Sequence, residues 1–366
     1  MHRLGISIYP EHSTPEKDTA YMKLAAKYGF NRIFTCFLSA SGDPDTIKKE
    51  FGGFIQKAHE LGFEVAADTN PEVFKSLGAS PENLSIFHEL GLDIIRLDGH
   101  FDDYQNALIT RNPYGIKIEF NASPAYSDSN VEGLIRHGAD RRNMTVCYNF
   151  YPERYSGLSQ NTFDRLNKTW GSLGLTTAAF VSSQEKDTFG PWKVYQGLPT
   201  LEADRTLPID AQVRHMIACG VIDDIIIGNA YASEAELKAM ASVKLSNTTI
   251  QMEAAEDMTE DEKKVVYSYA HIGRNDASEY YVRSSFPRLD FRKQEIPHRK
   301  CCKSVFTRGD VVVVNDNLAH YRGEMEIVLT EIENDGQRNY VGRIADTDLR
   351  ILDELEKRPD QVFEIV

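Results

Sequence analysis

The sequence predicts an α/β protein in which a (β/α)₈ TIM barrel, residues 1–245, is followed by a smaller all-β unit, residues 246–366. Three observations support this prediction. Short β-rich runs alternate with helical patterns from residue 1 to about residue 245. Eight strand runs occur there, and eight β–α units in roughly 240 residues are typical of this barrel. After about residue 245, strand-like runs follow one another with turn residues between them.

The eight strand candidates are short runs rich in β-branched, aromatic or small apolar residues. In chain order they are Leu4–Pro10, Asn31–Leu38, Glu64–Asn70, Asp93–Gly99, Ile116–Asn121, Met144–Tyr151, Thr176–Ser182 and Asp223–Asn229. Amphipathic stretches such as PEKDTAYMKLAAKYG (15–29) lie between most of them and end in a glycine that suits a helix C-cap. A doubly wound open sheet is the competing fold. The regular count of strands, and the lack of a glycine-rich phosphate fingerprint after the first strand, disfavour it.

The last third of the chain has a different residue pattern, in which strand-like runs follow one another. Strand-like runs occur at 265–286, 309–317, 324–332 and 338–345, and only a short helical pattern appears near DLRILDELEK (348–357). This pattern predicts a compact β-barrel or sandwich of about 120 residues.

Composition and charge exclude several classes of function. The 366 residues are 41% hydrophobic and 26% charged, as in an ordinary soluble globular protein. A formal net charge of −14 disfavours nucleic-acid binding, since no basic block offsets it. No run suits a signal peptide or a membrane span. The five cysteines lack metal or disulfide spacing, so we expect reduced thiols and a cytoplasmic location.

The stretch GIKIEFNAS (115–123) shows where chemistry is expected. Ile116, Ile118 and Phe120 alternate with Lys117, Glu119 and Asn121, and successive side chains of a strand point to opposite faces. In a barrel the apolar face packs on the helices and the other face lines the lumen. The sequence therefore predicts that the polar residues of this strand point inward.

The same argument applies to four other strands, each of which ends in inward polar groups. The candidates are Glu11 on the first strand, Asp68 and Asn70 on the third, Arg96 and Asp98 on the fourth, and Asn149 and Tyr151 on the sixth. Active sites of these barrels lie at the C-terminal ends of the strands. One interpretation is a stabilising lumen network in which Arg96 and Lys117 pair with Asp98 and Glu119. Apolar packing is usually at least as stable as buried ions, which favours a functional site for the ring as a whole.

Paired carboxylates without Cys/His metal spacing suit general acid/base chemistry, of which glycosidic bond cleavage is the commonest example. We expect two of the three acids Asp68, Asp98 and Glu119 to be catalytic. Coordination of Mg²⁺ or Mn²⁺ by the same acids is the rival interpretation. No metal ligand is assigned.

Two loops and one set of basic residues are candidates for binding. NFYPERYSGLS (149–159) and GLPTLEADR (197–205) follow the sixth and seventh strands, where Tyr and Phe can stack on sugars, and Arg154 and Arg205 can pair with anions. The second unit carries a basic set that suits either phosphate or carboxylate binding or a domain interface: His271, Arg274, Arg283 and Arg288.

The runs GISIYPE, RLDG, IEFNAS, NFYPERYSGLS, GLPTLE and RGDVVVVND resemble the bacterial 6-phospho-N-acetylmuramidases over nearly the whole chain. The resemblance implies a TIM barrel followed by a cyclophilin-like β-barrel, and a cytoplasmic role in recycling cell-wall sugars. It implies exo-hydrolysis of the β-1,4 bond in 6-phospho-N-acetylmuramyl-N-acetylglucosamine with no cofactor. Because the loops after strands seven and eight commonly bind phosphate, Arg205 is the expected phosphate anchor.

Two other functions are open at this stage. The barrel could capture an anionic phosphosugar without catalysis, or act as a metal-dependent lyase or aldolase on a phosphorylated substrate. The sequence does not determine an oligomeric state.

Overall fold

The computed structural model describes residues 2–38, 44–99, 101–123, 130–193 and 196–366. The chain divides into two compact units. The first contains Met1–Met216 and Gly220–Ser242, and the second contains Ile217–Cys219 and Val243–Val366. No helix in the described ranges is both long enough and apolar enough to cross a membrane.

The first unit is a closed barrel of eight parallel strands, in which each strand pairs with the next and β1 pairs with β8. The strands are β1 (Arg3–Ser7), β2 (Arg32–Cys36), β3 (Glu64–Thr69), β4 (Ile94–Leu97), β5 (Lys117–Asn121), β6 (Met144–Cys147), β7 (Thr176–Val181) and β8 (Asp224–Ile227). This confirms the predicted fold and all eight strands. The strands end up to four residues earlier than predicted, so Glu11, Asn70 and Tyr151 lie in the segments that follow them.

Helices alternate with these strands. They are α1 (Pro15–Lys27), α2 (Pro44–Glu60), α3 (Pro71–Ser76), α4 (Ser85–Leu90), α5 (Asp103–Thr110), α6 (Asn130–Arg136), α7 (Gln160–Leu173), α8 (Ile209–Ala218) and α9 (Glu234–Ser242). Local signals fix several ends: Thr14 caps α1 ahead of a proline, and Gly29 follows that helix with a φ of 84°. A left-handed residue at this position suits glycine, as predicted.

The inside of the barrel has an apolar part and a polar part. The apolar part is a packed cluster of Tyr9, Phe34, Cys36, Cys147, Ala178, Phe180, Ile226 and Ala230. The polar part comes from neighbouring strands, where Asp68 of β3 lies beside Arg96 of β4, and Arg96 lies beside Glu119 of β5. These three residues thus lie next to one another on neighbouring strands, and this part of the lumen contains the candidate site.

The second unit is built on sheets that are antiparallel except for one parallel pair of strands. Its strands are β9 (Thr248–Ile250), β10 (Met252–Ala254), β11 (His271–Ile272), β12 (Tyr281–Ser284), β13 (Val305–Phe306), β14 (Asp310–Val314), β15 (Met325–Val328), β16 (Ile332–Glu333), β17 (Arg338–Ile344) and β18 (Val362–Ile365). A five-stranded sheet has the order β10-β17-β14-β15-β12, and a three-stranded sheet has the order β11-β18-β9.

Three helices accompany these sheets: α10 (Glu260–Tyr267), α11 (Arg288–Phe291) and α12 (Leu349–Lys357). The predicted helix near 348–357 is confirmed as α12. The prediction of a strand at Val265 and Val266 was wrong, because both residues lie buried in α10. This helix begins with a capping box between Thr259 and Glu262, which was not recognised in the sequence.

Candidate active site

Asp68, Arg96 and Asp98 form the centre of the candidate site, near the C-terminal ends of β3 and β4. The Asp68 carboxylate accepts a hydrogen bond of 2.6 Å from Nη1 of Arg96, and Oδ1 of Asp98 lies 3.9 Å from the same nitrogen. Asp68 is buried, whereas 42% of the Asp98 side chain is exposed. The arginine therefore contacts one acid inside the barrel and lies near a second acid that is open to solvent.

Burial raises the pKa of Asp68 to about 7. Loss of hydration is the largest cause, the charges of Asp98 and Glu119 act in the same direction, and the hydrogen-bonded Arg96 opposes them. A carboxyl group with a pKa near neutrality is protonated in a large fraction of molecules at pH 7. This is the property that a general acid needs.

The other side of Arg96 is held by the segment after β6. Its Nη2 donates to the side-chain oxygen of Asn149, and the Asn149 backbone N–H donates to Oγ of Ser123 at 2.7 Å. The Tyr151 hydroxyl also interacts with Ser123, and burial raises its pKa. The structure thus brings the predicted residues Arg96, Asn149 and Tyr151 together.

Glu119 points into the barrel as expected, but its partner is Arg32 and not Arg96 or Lys117. It accepts a 2.5 Å hydrogen bond from Arg32, and neither side chain is accessible to solvent. Arg32 also binds Asp224 at 2.5 Å. A carboxylate without access to solvent does not meet a substrate in this structure, so the prediction of Glu119 as a catalytic acid is corrected. Its charge acts on Asp68 instead.

Lys117 was expected in the substrate site, and that expectation was wrong. It is the first residue of β5, and its Nζ donates to the carbonyl of Arg142 at 2.6 Å. It lines a cavity of about 700 Å³ together with Arg3 and Glu64, the first residues of β1 and β3. Lys117 lies on the inward-facing side of its strand, as predicted, but at the end of the barrel opposite to Asp68 and Arg96.

Three further candidates lie beyond or at strand ends and make local contacts. Asn70 is the N-cap of α3, where its Oδ1 accepts the Val73 N–H at 2.8 Å. Asn121 accepts the Ser123 N–H at 2.9 Å. Glu11 lies in a short 3₁₀ turn after β1. Local capping explains the positions of the Asn70 and Asn121 oxygens. The assignment of Glu11, Asn70 and Asn121 to substrate binding stays a prediction.

Arg205 does not have a free guanidinium, which contradicts its assignment as the phosphate anchor. It is buried and binds Glu202 through Nε at 2.8 Å and through Nη2 at 2.6 Å. Its remaining N–H groups donate to the carbonyls of Gln196, Gly197 and Glu153. With five donors engaged inside the protein, Arg205 has none left for an anion.

The loops after β7 and β8 also have their backbone donors engaged. The N–H groups of Gln184 and Ser233 donate to the carboxylate of Glu236, and the Ser183 N–H donates to Asn229. A carboxylate of the protein thus occupies the position where other barrels use such N–H groups for phosphate. The expectation of a phosphate site there does not fit this arrangement.

The basic set of the second unit is neutralised within that unit. His271 is fully buried, with its ring nitrogens 2.9 Å from Ser284 Oγ and 2.8 Å from the Val266 carbonyl oxygen, and burial lowers its pKa. Arg274 binds Asp276 with two hydrogen bonds. Arg283 and Arg288 both pair with the buried Glu324, at 3.3 and 2.9 Å. His271 is a buried structural residue, which corrects its assignment to substrate binding, whereas the assignment of Arg274, Arg283 and Arg288 stays a prediction.

Sequence reasoning missed two residues that complete the site. Arg32 lies on β2 in register with Gly5 of β1 and faces the lumen with Phe34 and Cys36. Ser123 follows Asn121 by two positions. The alternation argument, applied to β2 and extended past the end of β5, would have found both.

The donor set around Asp68 fits a proton-transfer site better than a metal site. One of the two Asp68 oxygens, Oδ1, already accepts from Arg96 at 2.6 Å. A divalent ion there would lie against a guanidinium, which electrostatic repulsion disfavours.

Comparisons with known proteins cover the whole chain. The model described as "6-phospho-N-acetylmuramidase, N-terminal" matches residues 4–242, and the model described as "6-phospho-N-acetylmuramidase, C-terminal" matches residues 248–366. A crystal structure of an uncharacterized B. cereus protein is 39% identical, with full coverage of both chains and a TM-score of 0.89.

A conserved protein of unknown function from Enterococcus faecalis is 24% identical over 100% of this chain and 96% of its own, with a TM-score of 0.66. No curated protein matches the chain significantly.

Proposed function

The chain belongs to the 6-phospho-N-acetylmuramidase family, and from this premise we propose that it is an exo-acting glycosidase. Its proposed substrate is 6-phospho-N-acetylmuramyl-N-acetylglucosamine, of which it hydrolyses the β-1,4 bond in the cytoplasmic recycling of cell-wall sugars. The proposal requires no cofactor.

One observation carries the proposal: near the C-terminal end of the barrel, the buried carboxyl group of Asp68 accepts a 2.6 Å hydrogen bond from Arg96, and the exposed carboxyl group of Asp98 lies near the same arginine. In its protonated form, Asp68 donates a proton to the glycosidic oxygen as the bond breaks. A water molecule from solvent supplies the hydroxyl group of the anomeric carbon, and its other proton goes to a carboxylate of the pair. Arg96 fixes the orientation of the Asp68 carboxyl group through the 2.6 Å hydrogen bond. A positioned acid of this kind typically contributes a factor of about 10² to 10⁴ in rate.

Asp98 is the second carboxyl group that glycoside hydrolysis requires. Its exposed side chain lies on the solvent side of Arg96, where it can approach a sugar bound at the mouth of the barrel. Its negative charge stabilises the positive charge that develops on the sugar ring. The burial of one acid and the exposure of the other separate the two roles, as in other carboxylate pairs.

The test is incubation with the phosphorylated and the unphosphorylated muramyl disaccharide, followed by mass spectrometry of the products. We expect the phosphorylated disaccharide to yield two monosaccharides. Asp68→Asn and Asp98→Asn should each lower kcat by at least about a hundredfold without unfolding the protein. Asp360→Asn, at an exposed position of the second unit, is the matched control.

Other outcomes would contradict the proposal. Tight binding of the disaccharide without any turnover would indicate a binding protein. Turnover that a chelator abolishes and Mg²⁺ restores would indicate a metal-dependent lyase or aldolase.

A further inference from the structure

The segment after β6 is fixed by a clamp that the sequence did not reveal. We use the name "Glu202 clamp" for Glu202, Arg205 and the backbone groups that they bind. Oε1 of Glu202 accepts the Tyr155 N–H at 2.7 Å, and Oε2 accepts the Gly157 N–H at 2.9 Å. Arg205 neutralises the same carboxylate and binds the Glu153 carbonyl at 3.0 Å. The backbone of residues 153–157 is therefore held by hydrogen bonds at Glu153, Tyr155 and Gly157.

The clamp is charged throughout the physiological range. The Arg205 guanidinium, with help from the Tyr155 and Gly157 N–H groups, lowers the pKa of Glu202 to about 2. The segment also fits closely against Glu202, because a Cβ atom at Gly157 would lie 2.7 Å from the Glu202 nitrogen. Only glycine allows this approach.

Tyr155 is held by this clamp in a conformation with two unfavourable features. Its φ of 70° lies in the left-handed region, which side chains other than glycine rarely adopt. Its side chain is also 86% exposed, although burial of an aromatic ring is strongly favourable. A protein that enforces both on one residue commonly does so at a binding site. A tyrosine ring presented in this way can stack on the apolar face of a sugar.

Arg154, next to it, has the available charge that Arg205 lacks. Its backbone N–H donates to the Gln196 side chain at 3.0 Å, and its side chain is exposed. Among the described residues, its guanidinium makes no hydrogen bond or ion pair, in contrast to those of Arg96 and Arg205. An arginine whose five donors meet no acceptor in the described part of the chain is well shaped for a phosphate.

The segment that carries both side chains continues from the candidate site. Asn149, which binds Arg96, is five residues before Arg154. Five residues of extended chain span at most about 18 Å, so the chain limits how far Arg154 can lie from Arg96 and Asp68.

We propose that Arg154 binds the phosphate monoester of the substrate and that Tyr155 stacks on its sugar ring, with the Glu202 clamp holding both in place. This inference rests on the proposed function. It moves the phosphate site from the loop after β7, where sequence reasoning put it, to the loop after β6.

The experiment compares Arg154→Ala and Tyr155→Ala with wild type on the phosphorylated and the unphosphorylated disaccharide. Arg154→Ala should raise KM for the phosphorylated substrate by about tenfold to a hundredfold, the range for a charged hydrogen bond. It should leave kcat/KM for the unphosphorylated substrate within about twofold. Tyr155→Ala should lower kcat/KM for both substrates, and Tyr155→Phe should retain it because the ring is kept.

Arg141→Ala is the matched control, since Arg141 is another exposed arginine and lines the cavity with Lys117 at the opposite end of the barrel. Equal losses by Arg154→Ala on both substrates, or no loss on either, would overturn the inference while the proposed function stands. If wild type turns over neither disaccharide, the proposed function fails. Calorimetric titration with 6-phospho-N-acetylmuramic acid then still tests Arg154, because the variant should bind it about tenfold or more weakly.

Discussion

At the scale of single residues, Asp68 shows how one environment gives one carboxyl group a distinct role. Three inward acids were equivalent in the sequence. In the structure, Glu119 is fixed by a buried arginine, Asp98 is open to solvent, and Asp68 is buried against Arg96 with a pKa of about 7. Differences in hydration and in charged neighbours separate these acids, and neither can be derived from strand alternation.

The first prediction concerns pH. Asp68 must be protonated to act as an acid, so kcat on the phosphorylated disaccharide should fall as the pH rises through about 7. The residual kcat of Asp98→Asn should fall at a lower pH than that of wild type, because removing a negative charge lowers the pKa of Asp68. Carbon-13 NMR titration of the aspartate carboxyl groups measures the same pKa without turnover. A pKa for Asp68 below about 5 would contradict the assignment.

The second prediction concerns the buried ion pairs at Arg32. Arg32→Met leaves Glu119 without its cation and should lower the free energy of unfolding by about 3–5 kcal/mol, as when one partner of a buried pair is removed. Arg142→Met is the control, since Arg142 pairs with Asp140 but its side chain is 90% exposed. We expect a much smaller effect there, because solvent screens an exposed ion pair. Urea denaturation monitored by circular dichroism measures both, and equal effects would show that burial is not the cause.

At the scale of elements, the loops that follow the strands differ more from the sequence prediction than the strands do. The loop after β6 was predicted to contact substrate, and the loop after β7 was predicted to supply the phosphate anchor. In the structure, Arg205 and Glu202 of the loop after β7 bind backbone groups of the loop after β6 and fix its position. The buried Arg205 is structural, whereas the exposed Arg154 is the arginine that we propose binds a ligand.

The third prediction follows from the Glu202 clamp. A carboxylate with a folded-state pKa of about 2 and an unfolded value near 4.5 contributes stability above pH 4.5 and loses it as the pH falls toward 2. The difference in unfolding free energy between wild type and Glu202→Gln should therefore be full at pH 6 and shrink between about pH 4.5 and 2. Urea denaturation over a pH series tests this. A constant difference over the whole range would show that Glu202 acts through packing alone.

The fourth prediction concerns Arg205. Because it fixes the loop and does not contact the anion, Arg205→Ala should lower activity on the phosphorylated and the unphosphorylated disaccharide by similar factors. It should also lower the midpoint of thermal unfolding, whereas Arg154→Ala should not. A loss confined to the phosphorylated substrate would restore Arg205 as the phosphate anchor.

At the scale of the whole molecule, two units have separate cores. The second unit has its own cluster of buried apolar residues, which includes Val311, Val313, Ile327, Leu352 and Phe363. Its charged groups, such as Arg288 with Glu324, pair inside the unit. A unit that satisfies its polar groups and buries its own core is expected to fold independently.

The fifth prediction is that a fragment of residues 243–366 folds by itself. It should show a cooperative urea transition and dispersed amide signals in NMR, because its sheets and all of the buried core cluster except Ala218 come from within that range. A fragment without a cooperative transition would indicate that the second unit depends on the barrel for its structure.

Local patterns were sufficient to predict the fold. The eight strands, the glycine at the end of α1 and the inward parity of Asp68, Arg96 and Glu119 all follow from interactions between residues close in sequence. The exceptions are instructive: Val265 and Val266 favour a strand, but the Thr259–Glu262 capping box and burial of the helix gave α10.

Strand alternation, a property of the backbone, was enough to predict which residues point into the barrel. Their roles came from the folded protein, because a role depends on neighbours that are far apart in sequence. Glu119 meets Arg32 across 87 residues, and Tyr155 meets Glu202 across 47. Lys117 is the first residue of its strand and therefore lies at the end of the barrel opposite to the candidate site. The N–H donors of Arg205 bind carbonyl and carboxylate groups of the protein. Charge and residue type indicate what a side chain can bind, but burial and the partners already present determine what it does bind.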